Sequence, residues 1–573
     1  MKSRPVFWVA MSVVCTVTAW MPVQTSAATR EAQYSERGMV SSRSAWASEV
    51  GAEILAAGGN AVDAAVAVGF ALAVTYPSAG NLGGGGFMVI RLADGTLATN
   101  DHRERAPLAA YRDMFLDDQG EVVDGLSTAS HLAVGVPGTV DGLLSVLQKY
   151  GTFSRAEVLD PAIKLAAEGI LLDRDLAAQF ARRLKDFAPY KGSMAIFSRD
   201  GEAWEVGQRF KQPDLAATLR RIKQHGRAGF YAGKTADLLV QEMQDNGGLI
   251  SHEDLAQYRS VWRPPIRGTY RGYDIVSMPP PSSGGVLLVN MLNMLEGQDL
   301  AGQGFGSAKT VHAMIEAERR AYADRAEYLG DPDYFDVPIE TLISKAYAQT
   351  RYADFDPKRA SDSADIGAGQ IPVESPDTTH ASVMDAAGNA VAYTTTLNLS
   401  YGAKMVATGT GVLLNNEMDD FSSKQDTPNF YGLLGRQANA IAPGKRMLSS
   451  MTPTIVLKDG EPVLVTGSPG GSTIITTTLQ VVINVIDHGM DLADAVASPR
   501  FHHQWQPTRT LIEQRGLSPD TLALLKRMGH TELVEMPSAW GRGIGDANSV
   551  LRNKKGIVGV ADPRNAGKAV GVP

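Results

Sequence analysis

The strongest constraint on the fold is a stretch whose two arms mirror each other about a turn. From Thr378 the chain reads Thr-Thr-His380-Ala-Ser-Val-Met-Asp385, then Ala-Ala-Gly388-Asn389, then Ala-Val-Ala-Tyr-Thr-Thr-Thr396-Leu-Asn398. Both arms read as strands, and Gly388-Asn389 marks a turn. Ala387 lies midway between Thr378 and Thr396. Regular antiparallel pairing therefore sets those two hydroxyls opposite each other, with Asn398 two residues further on the same face. Facing hydroxyls at a strand end are ordinary in themselves. They matter here because a threonine is a nucleophile when its own α-amino group serves as base, which requires a chain break just before it.

A second hairpin repeats the geometry. Ser449-Ser450-Met-Thr-Pro-Thr-Ile-Val-Leu runs into Lys458-Asp459-Gly460 and returns through Pro462-Val-Leu-Val-Thr to Gly467-Ser-Pro-Gly470-Gly471-Ser472. Gly460 is midway between Ser450 and Gly470, so a serine pair and a glycine pair meet at one end. The apolar segment Thr473 to Ile486 follows and is long enough for a buried helix. Strand, glycine turn and helix start together present backbone N–H groups with the helix dipole behind them, an array suited to an oxyanion. A tight turn needed only for backbone geometry is the plainer reading.

At 573 residues the chain exceeds a typical single core, which predicts two lobes or one large layered domain. A net charge of −8 with no basic run argues against nucleic acid or an anionic membrane as main partner. Many of its 58 glycines cluster at Gly83–Gly86, Gly284-Gly285 and Gly470-Gly471, a pattern of close backbone packing or ligand approach. Gly83–Gly86 leads into the strand-like Phe87–Leu92 and not into a helix, so it fails as a dinucleotide fingerprint. Gly467 to Ser472 lacks the lysine of a P-loop.

Lys2 and Arg4 precede an uncharged, mostly apolar run from Val6 to Met21, and Thr25-Ser26-Ala27-Ala28 offers small residues for cleavage. This reads as an export signal over residues 1–28, with the bacterial periplasm as destination and secretion from the cell as second choice. Val14 before Cys15 is poor for lipid attachment, so no membrane anchor is expected. Cys15 is the only cysteine, and the mature chain therefore has no disulfide.

Helices are expected from Ser44 through Leu72, broken at Gly58-Gly59-Asn60, and across most of 130 to 260. Another spans about Ala308 to Leu329, with a Glu/Arg-rich face read as solvated. Ser361 to Pro376 is polar and loop-like, suited to exposure at a processing site before Thr378. His502-His503 diverge in regular structure and lack companion ligands, which favours structural histidines over a metal site. Glu417 with Asp419-Asp420 suits a cation, a substrate ammonium or a solvated acidic loop, and spacing does not choose among them.

Beyond these patterns the chain resembles the γ-glutamyltranspeptidases, of the N-terminal-nucleophile hydrolase superfamily. The resemblance rests on Gly58-Gly-Asn-Ala-Val-Asp-Ala-Ala65, Gly80-Asn-Leu-Gly-Gly-Gly-Gly-Phe87, Arg103-Glu104 with Ala106-Pro107, Pro137-Gly-Thr139 and Ala321-Tyr-Ala-Asp-Arg325. It continues through Thr378-Thr-His380, Leu414-Asn-Asn-Glu-Met-Asp-Asp-Phe421, Leu448-Ser-Ser-Met451, Gly467-Ser-Pro-Gly-Gly471, Pro499-Arg-Phe-His-His503 and Ala561-Asp-Pro-Arg564. These motifs stand in the family's order and cover nearly all of the chain after the export segment.

The resemblance implies an α/β (α+β) fold, a four-layer αββα sandwich, made as an inactive precursor. It implies self-cleavage between Asp377 and Thr378 into a large subunit (29–377) and a small subunit (378–573) that stay together as a heterodimer. Thr378 is then the nucleophile and its α-amine the base, Thr396 holds that amine, and Gly470 and Gly471 form the oxyanion hole. Arg103 matches the clamp for the donor α-carboxylate, with Ser449 and Ser450 beside it. Asn398, Glu417 and Asp420 match the ammonium-binding set, and Tyr431 matches the gate of a lid over Pro428 to Gly435. The implied reaction moves the γ-glutamyl group of glutathione or a related amide to Thr378, then to water or to an amino acid or dipeptide amine, with no cofactor. Two alternatives are kept: a glutaryl or cephalosporin acylase on the same scaffold, and an unprocessed protein that binds γ-glutamyl compounds. Glutaryl lacks the α-ammonium and leaves Asn398, Glu417 and Asp420 without a partner. The binding protein is expected to have lost its nucleophile or oxyanion turn.

Overall fold

The computed structural model describes residues 31–367, 378–424, 427, 429–430, 433, 436–536 and 543–573. Residues 1–28, expected to be an export signal, and Asp377 and Tyr431 lie outside the described residues.

The mirrored threonine stretch forms the expected hairpin. Thr379–Asp385 and Ala390–Thr396 pair antiparallel, Thr379 opposite Thr395 and Met384 opposite Ala390. One further step of that register sets Thr378 against Thr396. The turn closes through Asp385 N–H to Asn389 O at 3.0 Å and Gly388 N–H to Asp385 O at 3.2 Å, and Gly388 takes φ +89°. Alternation along the strands divides the side chains. Ala381, Val383, Val391 and Tyr393 pack on helices, whereas Met384, Ala390 and Ala392 pack toward a second sheet. Thr378, His380, Thr394 and Thr396 follow the second set by parity.

This hairpin sits at the centre of a seven-stranded sheet. Its order is Lys568–Gly571, Gly38–Ser42, Thr379–Asp385, Ala390–Thr396, Gly85–Arg91, Leu97–His102 and Val261–Arg263. The glycine run enters this sheet at Gly85, which pairs with Thr396. A Cβ on Gly84 would lie 2.1 Å from Thr396 O, and one on Gly86 2.4 Å from Thr394 O. Only glycine lets this strand approach the threonines so closely.

The second hairpin forms in the other seven-stranded sheet. There the order is Gln33–Ser35, Gly556–Val560, Ser549–Asn553, Glu461–Thr466, Thr454–Lys458, Tyr273–Ser277 and Ile266–Tyr270. Its turn is the two-residue Asp459-Gly460, with φ of +53° and +82°, the signature of a type I′ turn. The register slips by one residue between Val456 and Leu457, and beyond the slip Thr454 faces Thr466. That bulge restores the symmetry about Gly460 and brings Ser450 and Gly470 to the same end.

The two sheets stack through a core that includes Phe87, Val89, Val276, Met384, Ile455 and Val465. Helices such as Ala45–Ala56, Ala61–Thr75 and Arg155–Glu168 cover the first sheet. Gly284–Leu295, Ala308–Tyr328 and Thr473–Ile486 cover the second. The result is the expected four-layer αββα sandwich, a single layered unit and not two lobes. Asn60 caps Ala61–Thr75 in a box with Asp63, which explains why the helical pattern breaks at Gly58 and resumes at once.

One expectation fails. The Glu/Arg-rich face of the Ala308–Tyr328 helix is buried, not solvated: Glu316, Glu318, Arg319, Arg320 and Arg325 are each 4 % exposed or less. Most of its charges meet partners from distant segments or from the helix itself. Arg320 pairs with Glu316 and Asp354, Arg319 with Glu316, and Arg325 Nε donates to Ser283 Oγ at 3.0 Å. In the loop that follows, Asp362, Ala364, Asp365 and Gly367 are exposed, as expected of that segment, while Ser363 and Ile366 turn inward and are buried.

Candidate active site

Thr378 and Thr396 meet at the open end of the first hairpin. The Thr378 hydroxyl donates to Thr396 Oγ1 at 3.4 Å, and Thr396 Oγ1 also accepts from Asn398 N–H at 2.9 Å. Thr378 is 6 % exposed. His380, two residues on, contacts Thr394 Oγ1 at 2.8 Å and Ser382 Oγ at 3.0 Å. Burial pushes its imidazole down to about 3. Both ring nitrogens are engaged away from Thr378, so the histidine of this motif is a packed strut under Gly467.

One cavity is lined by Arg103, Thr378, Thr396, Asn398, Glu417, Asp420, Ser449, Ser450 and Gly471, with Leu433, Met451 and Ile474. The structure thus gathers nine of the sequence-derived candidates from both hairpins, the strand end at Arg103 and the turn Glu417–Asp420. Gly470 stands one residue behind the lining. Asp377 and Tyr431, the cleavage and lid-gate candidates, are outside the described residues.

Arg103 is not alone in this cavity. Its guanidinium is bonded to Glu417 Oε1 through Nη1 and to Asp420 Oδ2 through Nη2, and donates to the Met447 and Leu448 carbonyls at 3.3 Å. Arg103 and the two carboxyls therefore offset each other's charge within the cavity. Burial pushes the Glu417 carboxyl well above the usual carboxylate range, against the opposing pull of Arg103. Burial also raises Asp420, again with Arg103 opposing. Burial alone would lower the Arg103 pKa, but the three neighbouring carboxyls hold it raised.

The far wall comes from the second hairpin. Gly470 and Gly471 adopt φ of +133° and +54° and lead into the Thr473–Ile486 helix. Gly470 O is tied by Thr473 N–H at 3.0 Å and Thr473 Oγ1 at 2.7 Å. Ser472 Oγ donates to Gln504 Oε1 at 2.5 Å and lies 3.0 Å from His502 Nε2. His502 is thus structural, holding the helix start, and burial pushes it down to about 4.

Arg325 and Glu104 had no assigned role in the sequence reading, and Asp419 had only an undecided one. Arg325 Nη2 donates to Ser450 Oγ at 3.2 Å and so orients a cavity hydroxyl; the only signal was its place at the end of the Ala321–Arg325 run. Asp419 accepts from Ser127 Oγ at 2.6 Å and from Phe430 N–H at 2.9 Å, and Asn429 donates to Asp420 at 3.1 Å. The acidic turn therefore anchors the start of the 429–433 segment. Burial pushes Asp419 up to about 7. Glu104, completely buried, lies beside Arg103.

A second titratable group lies away from the cavity. Side-chain atoms of His312, Glu316 and His530 that are able to bind a metal lie within 4.8 Å of one another. The two histidines already bond each other at 2.8 Å, and Glu316 holds two guanidiniums. Positive charge fills that carboxylate, so the cluster reads as a structural ion network.

Two stacked antiparallel sheets between helical layers, with a threonine at the start of an inner strand facing a glycine turn and helix start, define an N-terminal-nucleophile hydrolase. Comparison with known proteins narrows the class. Residues 47–572 match the sequence family described as Gamma-glutamyltranspeptidase. A "Glutathione hydrolase proenzyme" of Escherichia coli (strain K12) is 51% identical over 533 residues, 92% of this chain and 91% of that protein. The cephalosporin acylase structure from Bacillus halodurans superposes with a TM-score of 0.83 at 26% identity, over 98% of this chain and 99% of that chain. The Helicobacter pylori γ-glutamyltranspeptidase structure gives 0.56 at 48% identity, over 57% of this chain and 93% of that one. The chain belongs to the γ-glutamyltranspeptidase family.

Proposed function

We propose that this protein is an exported, self-cutting γ-glutamyltransferase and glutathione hydrolase. The observation that carries the reading is the single cavity in which Thr378 and Thr396 face Arg103, Asn398, Glu417, Asp420, Ser449, Ser450 and Gly471. In the precursor the Thr378 hydroxyl attacks the Asp377 carbonyl, its proton directed toward Thr396. The Asp377–Thr378 amide bond breaks as the ester forms, which frees the Thr378 α-amine. Hydrolysis of the ester then restores the Thr378 hydroxyl, leaves a carboxylate on Asp377 and separates 29–377 from 378–573, the signal 1–28 having been removed on export to the periplasm.

The freed amine then serves as base. It takes the hydroxyl proton as Thr378 Oγ attacks the donor γ-carbonyl and returns it to the departing amine. The N–H groups of Gly470 and Gly471, at a helix start, receive the oxyanion. Water, or the amine of an amino acid or dipeptide, resolves the ester. Arg103 with Ser449 and Ser450 takes the donor α-carboxylate, while Asn398, Glu417 and Asp420 take its ammonium. Tyr431 is assigned as the gate of a lid over the pocket.

The similarity to a cephalosporin acylase favours a second reading, removal of a glutaryl group. Glutaryl lacks an ammonium, and two buried acids facing Arg103 then have no ligand charge to meet, which disfavours it. The test is an intact denaturing mass of the purified protein followed by kinetics with glutathione and with a glutaryl amide. Two chains, the smaller beginning at Thr378, and turnover of glutathione are expected. A single chain that stays whole, or turnover of the glutaryl amide alone, overturns the proposal.

A further inference from the structure

We propose that Glu104 and Glu417 share a single proton, and that this buried pair sets the charge of the donor pocket. The inference rests on the donor-binding roles proposed above and adds Glu104 to them as a positioning residue.

The two carboxyls face the same guanidinium nitrogen. Arg103 Nη1 bonds Glu417 Oε1 and stands 3.8 Å from Glu104 Oε2, beyond hydrogen-bond reach. Both Glu104 oxygens and Oε2 of Glu417 are buried and accept no hydrogen bond from another residue. Backbone walls the pair in: a Cβ on Gly85 would fall 2.5 Å from Glu104 Oε2, and one on Gly135 3.1 Å from Glu104 Cβ. The two side chains lie within hydrogen-bond range of each other, and two anions cannot stand so close in such a site with three oxygens given no donor by another residue. One proton resolves the geometry. Glu104, as the acid, becomes the missing donor and Glu417 the acceptor, and the pair carries one negative charge against Arg103.

The other charged or titratable groups facing Glu104 are Asp420, Tyr258 and Tyr393. Both phenols are held neutral by burial, and Asp420 discourages a further anion. In the same sense, burial pushes Glu104 up to about 7, with Arg103 pulling the other way. With the shared proton, Arg103, Asp420 and the pair sum to one net negative charge; without it they sum to two. The second charge would arise on the Arg103 side and repel the ligand carboxylate, so the proton keeps the guanidinium available to an α-amino acid head group.

Infrared spectroscopy of the protein as purified, cut or uncut, reads the proton directly. At pH 7 the Glu104→Gln variant is expected to lose one deuterium-sensitive protonated-carboxyl C=O band relative to wild type. Glu417→Gln is expected to lose the same band, because Glu104 then ionises against the new amide; either variant suffices if the other fails to fold. Retention of every protonated-carboxyl band in a folded variant overturns the proposal. The readout needs no turnover, so it fails separately from the assigned activity. Glutarate, a dianion throughout the range, gives a second reading in the active enzyme. Its competitive inhibition is expected to weaken from pH 6 to 8.5 about tenfold more in wild type than in Glu104→Gln, the Thr378 α-amine titrating alike in both; identical profiles count against the pair.

Discussion

Thr396 stands across the hairpin end from Thr378 and receives two hydrogen bonds at one oxygen, from the Thr378 hydroxyl at 3.4 Å and from Asn398 N–H at 2.9 Å. The second bond fixes Thr396 Oγ1 so that it aims the hydroxyl proton of Thr378, the proposed nucleophile. Thr396→Ala removes that acceptor and is expected to slow both self-cleavage and turnover about 10- to 100-fold, whereas Thr396→Ser keeps most of both. Timed gels for cleavage and kcat for glutathione check this. Cleavage at the wild-type rate in the alanine variant would remove Thr396 from that role. Thr378→Ala is expected to abolish both.

Arg103 is the counter-charge for buried carboxyls as well as the assigned carboxylate clamp. Arg103→Ala strands Glu417 and Asp420, a loss expected to cost about 3–5 kcal/mol of stability besides raising the donor KM. A residue that only clamped substrate would leave maturation untouched; the ion pairs predict impaired folding instead. Thermal melting beside donor kinetics separates the two, and an unchanged melting temperature would count against the structural role.

Arg325 acts through Ser450. Replacing it with Leu is expected to raise the donor KM several-fold through the misaligned hydroxyl, about 1 kcal/mol for one hydrogen bond, with kcat less affected. A fall in kcat at constant KM would contradict this.

Gly84 admits no side chain. In Gly84→Ala the new Cβ meets Thr396 O, a backbone atom that cannot step aside. Overpacking of this kind is expected to cost about 1–3 kcal/mol and to slow maturation by displacing Thr396. A variant that melts and matures as wild type refutes the close approach.

Acid should destabilise the fold below about pH 6.5. Burial holds His102 and His502 down to about 4 and His380 and His530 down to about 3. Each is neutral when folded and protonates near its ordinary value when unfolded. Their stabilising contribution is therefore full above the unfolded pKa and is lost as pH falls from there toward 3–4, at up to about 1.4 kcal/mol per pH unit for each. Melting temperatures measured from pH 7 down to pH 4.5 should fall progressively; a level profile would show that these rings are not held neutral.

The hairpin register was legible because two strands with one turn obey simple arithmetic, which Thr379 opposite Thr395 confirms. At the second hairpin the arithmetic succeeded through a cancellation that sequence does not display, the one-residue slip beside Leu457 offsetting a turn centred half a residue before Gly460. Arg103 lies hundreds of residues before Glu417 and Ser450, and family resemblance, not spacing, brought them together. Their direct ion pairing was out of reach, as was the burial of Arg319 and Arg320, because charge reads as solvated until a distant partner such as Asp354 or Ser361 is known. Glu104 gave only adjacency to Arg103.

Gly38–Ser42 is flanked on one edge by Thr379–Asp385 and on the other by Lys568–Gly571. A strand from before the proposed cut is thus clasped between two from after it. Once the chain is severed, unfolding dissolves a partnership that a single polymer would have re-formed at its own effective concentration. Refolding becomes a meeting of two molecules, neither of which carries a complete sheet. The mature protein is therefore expected to show hysteresis, melting once and recovering poorly on dilution, so that its working lifetime is governed by the rate of unfolding and not by an equilibrium.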